Sequence, residues 1–381
     1  MRYINTVFSQ LLSEVPRSVF KRAVDRHHGD KRAGSMSCWT QFCTILYGQL
    51  SSKQTLRDTC LSWASQSHLY YHFGASKAAR STLSDANRER PSAIYLELFY
   101  WLLNQLREAT ISCKDVVRLI DSTTINLCKQ QFNWATFRSG KAGIKIHTVY
   151  DPNNKVPTFF SITTASKHDK KAAEKMPLLD GATYVFDRAY NDYAWYYSMS
   201  LRDISFVGRM KSTTRFEVAE VLKASGKEVL KDELIHLSST KAKKDFPCIL
   251  RHIRFLREED GKELSFITND LKRTAVEIAD LYKQRWQIEL FFKWIKQNLK
   301  IKRFLGTNEN AVRTQIIIAM ISYLLLKLVN KKSASKLSLH QVAILVAANL
   351  MSPRNIFDLL LQKELQKPPE NRSNQLTFGF G

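Results

Sequence analysis

The chain has 381 residues, too many for one small core, which predicts roughly two or three domains. Apolar residues make up 44% and aromatics 11%, which excludes a disordered chain, and 58 Lys and Arg against 35 Asp and Glu leave a formal charge of +23. That excess points to a polyanionic partner, nucleic acid being the commonest. A membrane surface fits less well, because the basic residues are spread along the chain rather than gathered on one amphipathic helix.

In chain order, residues 1–110 are expected to form a helical domain, with apolar spacing of helical period over 8–26, 38–50, 55–65 and 92–108. Residues 1–12 are polar, so no signal peptide is expected and a cytoplasmic location follows. Between the third and fourth helices, residues 73–90 combine a glycine turn with small residues, hydroxyls and the cations Lys77, Arg80, Arg88 and Arg90. A helix-turn-helix recognition element has this make-up, and a plain helical hairpin has it too.

The pattern changes near residue 115. Strands are predicted at 115–121, 144–150 and 157–162, with Asp151 to Asn154 as the turn between the last two. A short helix near 170–177, a strand over 183–187, a helix over 191–201 and a strand over 204–208 follow. Three strands in a meander, then helix, strand, helix and strand, is the order of a ribonuclease-H-like α/β core. Residues 210–270 read as a lysine-rich, β-rich insertion, and 274–299 return to helix. Residues 306–362 form a helical C-terminal region, in which the apolar run 316–326 is too short to span a bilayer. A loose tail over 363–381 closes the chain, and the core is taken to cover 111–305. The six cysteines lack C-x-x-C spacing, so reduced thiols are expected and zinc is not.

On the late helix, Tyr282, Arg285, Glu289 and Lys296 project within about 60° of one another at about 100° per residue, and Lys293 and Lys300 fall on the same stripe. Most other directions are apolar, including Trp286, Ile288, Leu290 and Phe291, which predicts a buried helix keeping one line of charge. A carboxylate flanked by cations suits a metal held by Glu289 beside a bound polyanion. Asp121 ends one apolar strand and Asp187 another. Two strand-end aspartates and a helical glutamate are what two Mg²⁺ ions need for in-line phosphoryl transfer, since Mg²⁺ prefers oxygen ligands.

Tyr-x2-Arg-x3-Glu-x6-Lys over 282–296 resembles the Y-R-E-K signature of the insertion-sequence-four-like bacterial DDE transposases. Asp121-Ser-Thr-Thr and Asp187-Arg-Ala-Tyr resemble that family's first and second acidic regions, and the long gap before Glu289 is similar to its β-rich insertion. The resemblance covers roughly 115–330. It implies a metal-binding catalytic triad of Asp121, Asp187 and Glu289, with two Mg²⁺ ions for which Mn²⁺ can substitute. Tyr282, Arg285 and Lys296 would hold phosphates of the transposon end, and Arg188 is a further phosphate candidate. His147 and His168 fit either a site lining or a hydrogen-bonded structural role. Relatives that cut through a hairpin stack a flipped base on an aromatic of the insertion, commonly tryptophan; the insertion here has no tryptophan, and Phe266 or another phenylalanine is the expected substitute.

The resulting expectation is a bacterial transposase that binds terminal inverted repeats through residues 1–110. It would cleave double-stranded DNA at the element's ends, join the 3′-hydroxyls to target DNA, and act at least as a dimer with no membrane attachment. A metal-dependent nuclease without strand transfer and a domesticated DNA-binding protein are the alternatives.

Overall fold

The structure is a computed structural model that describes residues 5–31, 33–34, 36–106, 116–138, 140–224, 226–299, 301 and 303–362. Lys300, the expected tail 363–381 and the boundary placed at 110 lie outside the described residues.

Helices α1 (Val7–Ser13) and α2 (Arg17–Arg26) divide the stretch read as one helix over 8–26. Pro16 causes the break, because it lacks an N–H and disfavours helical backbone at the residue before it. Next come α3 (Cys38–Leu50), α4 (Leu56–Ala64), the single turn α5 (Tyr70–Phe73), α6 (Arg80–Glu89) and α7 (Ala93–Leu106). Gly74 ends α5 at φ 57°, a left-handed conformation that favours glycine. Trp39 and Trp63 donate their indole N–H groups to the carbonyls of Phe73 and Ser76 at 2.9 and 3.0 Å, which ties the stretch before α6 to the core. A one-turn helix and an extended linker are not the tight turn between two helices that a helix-turn-helix requires.

After α7 the described chain builds one ten-stranded sheet. Its strands are β1 (Val117–Leu127), β2 (Thr136–Arg138), β3 (Lys141–Asp151), β4 (Val156–Thr164), β5 (Thr183–Phe186), β6 (Ser205–Arg209), β7 (Phe216–Val221), β8 (Val229–Leu237), β9 (Leu250–Arg257) and β10 (Lys262–Thr268). Between them lie α8 (Asp169–Ala173), α9 (Tyr193–Ser200) and α10 (Thr240–Asp245). β3 pairs antiparallel with β1 and β4, while β1, β5 and β6 run parallel. This is the ribonuclease-H-like order. The insertion does not stand apart from it: β10 pairs antiparallel with β6, and β9, β8 and β7 extend the same sheet.

Strand alternation sorts side chains to two cores. Leu119, Ile125, Val185 and Val207 face the layer of α11 (Ala275–Lys283), α12 (Trp286–Asn298) and α13 (Glu309–Ser333). Ile120, Tyr184, Phe186 and Phe206 belong to the opposite core with Trp195 and Tyr196 of α9. α13 extends well beyond the apolar run 316–326, and by length and composition it could cross a membrane. Yet 89% of its most apolar window is buried inside the protein, where it packs against α3, α6 and α7 and against the C-terminal helices α14 (Leu339–Asn349) and α15 (Ile356–Leu360).

The insertion carries a buried polar relay. His252 on β9 lies 3.1 Å from Glu233 on β8 and 2.9 Å from the Ser265 hydroxyl on β10. Burial lowers the His252 pKa below its ordinary 6.5, against the upward pull of Glu233. Burial pushes the Glu233 carboxyl up, but His252 and Lys231 outweigh it and hold the group below the usual carboxylate range. Both groups therefore bind fewer protons folded than unfolded in mild acid, so stability rises with pH. Their contribution is present above the ordinary values and is lost as pH falls through the lowered folded ones. Relative to that of His252→Gln, the wild-type urea midpoint is expected to drop between about pH 7.5 and about pH 5.5. The same pH response in both proteins would rule the relay out as a contributor.

Candidate active site

The parallel pairing of β1 with β5 sets Ile120 opposite Phe186, so Asp121 and Asp187, one residue further on, stand side by side. The alternation that turns Leu119 and Val185 towards the α11–α12 layer turns both carboxyls the same way. Asp187 directly follows its strand, which ends at Phe186, and it accepts from the Ala189 N–H at 2.8 Å. Asp121 does not end one: β1 continues six residues further, to Leu127. The strand outlasts its apolar run because Ser122 to Leu127 pair residue by residue with β3.

The charged stripe is not on one helix. α11 stops at Lys283, and the chain tightens through Gln284 and Arg285, where the Arg285 N–H bonds the Tyr282 carbonyl at 3.0 Å, before α12 begins at Trp286. Tyr282 therefore closes one helix, Arg285 caps the next, and Glu289 lies in the first turn of α12. Nor is the apolar surround fully buried: Trp286 is 59% exposed and Leu290 47%, while Ile288, Phe291 and Ile295 face the core.

Arg285 joins the acids. Its guanidinium donates to Asp121 at 3.2 Å and to Glu289 at 2.5 Å, with the Tyr282 ring 5.5 Å from its central carbon. Burial pushes the Asp121 carboxyl up to about 7; the Ser122 N–H and Arg285 oppose the rise, and Asp187 and Glu289 add to it. Three carboxylates thus crowd a half-buried site. Among the described residues no three acidic, histidine or cysteine side chains close around one point as metal ligands do, and an arginine stands between two of the acids. Asp121, Glu289, Phe292, Lys293 and Lys296 line a cleft of about 390 Å³.

The other expected residues fall into two groups. Lys293 is exposed and Lys296 half-buried on the cleft wall, and Arg188 is exposed beside Asp187. Lys77, in the linker before α6, and Arg80, its first residue, are exposed. Arg88 is exposed as well, but it pairs with Asp85 at 2.9 Å and Glu89 at 3.0 Å. Arg90 is a correction. It is buried, with its guanidinium donating to the Met36 carbonyl and to Gln41, so it braces the helices and is not available to DNA. Phe266 is likewise buried, packed 4.9 Å from the Tyr282 ring, and offers no face to a base.

Sequence reasoning missed Asp169, at the start of α8. It accepts from the Ser122 hydroxyl at 2.7 Å and from Lys145 at 3.0 Å, and His147 lies 3.2 Å away. Burial raises the Asp169 pKa, but His147, Ser122 and Lys145 outweigh it and hold the carboxyl far below its ordinary range. Ser122 in turn gives its N–H to Asp121 at 2.7 Å. His147 is fully buried and also contacts Thr163 at 3.0 Å, so it is a structural histidine, and His168 is exposed. Only the pairing of β3 with β1, which sets His147 opposite Ser122, brings this group together.

Comparison with known proteins matches residues 112–325 to a family described as "Transposase DDE domain" and residues 4–76 to "Domain of unknown function (DUF4372)". A "Putative transposase y4zB" of Sinorhizobium fredii is 38% identical over 75% of this chain and 80% of its own length. A "Probable transposase for insertion sequence element IS5377" of Geobacillus stearothermophilus is 30% identical, covering 67% of this chain and 68% of its own. A "Putative transposase for insertion sequence element IS4SA" of Synechocystis is 24% identical over 65% of this chain and 71% of its own. A matched domain spanning more than half the sequence, on a sheet that sets two aspartates beside a helical glutamate, shows that this chain belongs to the DDE transposases of bacterial insertion sequences.

Proposed function

We propose that the protein binds the terminal inverted repeats of its element, hydrolyses the DNA at each end and joins the freed 3′-hydroxyls to target DNA. Two ends must be held together, so it works as a homodimer on paired ends, in the bacterial cytoplasm. The convergence of Asp121, Asp187 and Glu289 on one side of the sheet carries this reading. A nuclease or transferase without a protein nucleophile needs such a set of acids.

Three carboxylates are hard oxygen donors, and burial, with the two neighbouring acids adding to it, raises the pKa of Asp121, so the donor set fits divalent cations such as Mg²⁺ or Mn²⁺. When bound, two such ions supply an activated attacking oxygen and stabilise the leaving one. Asp121, Asp187 and Glu289 would hold them. Arg285 bridges two of these acids in the free protein, and we assign it to the scissile phosphate, which its planar fork suits. Lys293 and Lys296 would hold the flanking backbone as point charges.

Asp169 is a positioning residue in this scheme, acting on Asp121 through Ser122. Asp169→Asn is expected to slow cleavage about 10- to 100-fold and to raise the Mg²⁺ concentration needed for half the maximal rate, while Asp169→Glu recovers part of the loss. A purely structural role would lower the melting temperature and leave the Mg²⁺ dependence unchanged.

The test of the whole reading is to incubate purified protein and Mg²⁺ with DNA carrying the element's native flanks, then map cuts and joints. Cuts at the ends together with joined products are expected. Cuts without joints would make the protein a nuclease, and binding without cuts a DNA-binding protein.

A further inference from the structure

Lys296 lines the cleft at the acids and also lines a second cavity of about 250 Å³ between α12 and the N-terminal helices. Lys53 and Gln54, from the turn after α3, form one wall of this cavity, with Arg303 and Gln315 opposite. Among the described residues, three cations and three side-chain amides, counting Gln49, line it, and no carboxylate does.

The cavity is built rather than incidental. Buried Gln49 donates to the Leu299 carbonyl, which satisfies the C-terminal end of α12 and fixes α3 against it. Buried Gln315, on α13, accepts from the Leu305 N–H at 2.7 Å and donates to the Arg303 carbonyl at 3.0 Å, so the loop carrying Arg303 is clamped on both sides. The Arg303 guanidinium in turn donates to Gln54. Placing Lys53 and Arg303 on one cavity costs stability through mutual repulsion unless an anion offsets it.

We propose that this cavity holds a backbone phosphodiester of the DNA strand leading away from the acids, and that Lys53 and Arg303 are its phosphate ligands. The turn after α3 lies within residues 4–76, so the proposal gives that N-terminal segment a place in the DNA track beside the chemistry. It rests on the functional reading above and extends that reading to a surface outside the matched transposase domain.

The test uses the full chain in EDTA, so that DNA is bound without being cut, and measures affinity for end duplex over a range of salt. Lys53→Gln and Arg303→Gln should each weaken binding several-fold and lower the slope of log K against log salt by about one. Lys53→Arg, which keeps the charge, should restore the slope. Wild-type slopes in both glutamine variants would overturn the proposal. So would unchanged DNA binding in variants that lose a thermal stabilisation by inorganic phosphate, because the cavity would then be a small-anion site. A wild-type protein that binds ends but never cuts them sinks the functional reading and leaves this site standing. Wild-type slopes in the variants of a protein that cuts and joins do the reverse.

Discussion

Asp121→Asn, Asp187→Asn and Glu289→Gln should each reduce cleavage of end DNA about a thousandfold or more and leave end binding within a few-fold of wild type. Each change removes one oxygen donor of nearly the same shape, so the loss is of charge and ligation rather than of packing. The fold should tolerate the change, because the three carboxylates crowd one another. Asp121→Asn relieves that repulsion at the cost of one ionic bond from Arg285. Binding survives because it rests on many backbone contacts elsewhere. Labelled end DNA with Mg²⁺ reads the cleavage, and fluorescence anisotropy in EDTA reads the binding. Near-normal nicking by any one variant removes that residue from the site, and lost binding in all three would mean that the acids hold the fold rather than the metal.

The parts legible in the sequence were those set by local pattern. The order of β1, β3, β4, β5 and β6 followed from apolar runs punctuated by turns, and Asp187 at the end of β5 followed with it. What depended on distant partners was not legible. β8, Val-Leu-Lys-Asp-Glu-Leu-Ile-His-Leu, has no clear alternation; it is a strand because β7 and β9 pair with it on either side. Arg90 reads as a surface cation, yet a carbonyl at residue 36 and an amide at residue 41 bury it. The break between α11 and α12 carries neither glycine nor proline. It turns Arg285 from a mid-helix residue into a cap whose side chain reaches Asp121 on one side and Glu289 on the other. Helical spacing placed Tyr282, Arg285 and Glu289 near one another for a reason that was only partly right: the stripe is made by two short helices meeting at the arginine.

That junction gives Arg285 the second large effect. Arg285→Ala should slow cleavage in preassembled complexes about 10²- to 10³-fold, the range for losing one group that stabilises developing charge. It should weaken end binding far less. Arg285→Lys should recover only part of the rate, because a single ammonium cannot reach Asp121 and Glu289 at once as the planar fork does. A second readout separates this role from packing. Removing the guanidinium leaves Asp121 and Glu289 without the cation that now bridges them, so Mg²⁺ should raise the melting temperature of Arg285→Ala more than that of the wild type. Wild-type cleavage by Arg285→Ala would reduce the residue to a bridge in the free protein. Slow cleavage with no added Mg²⁺ stabilisation would instead mean that the arginine acts on the DNA alone and that the acids do not share a cation site.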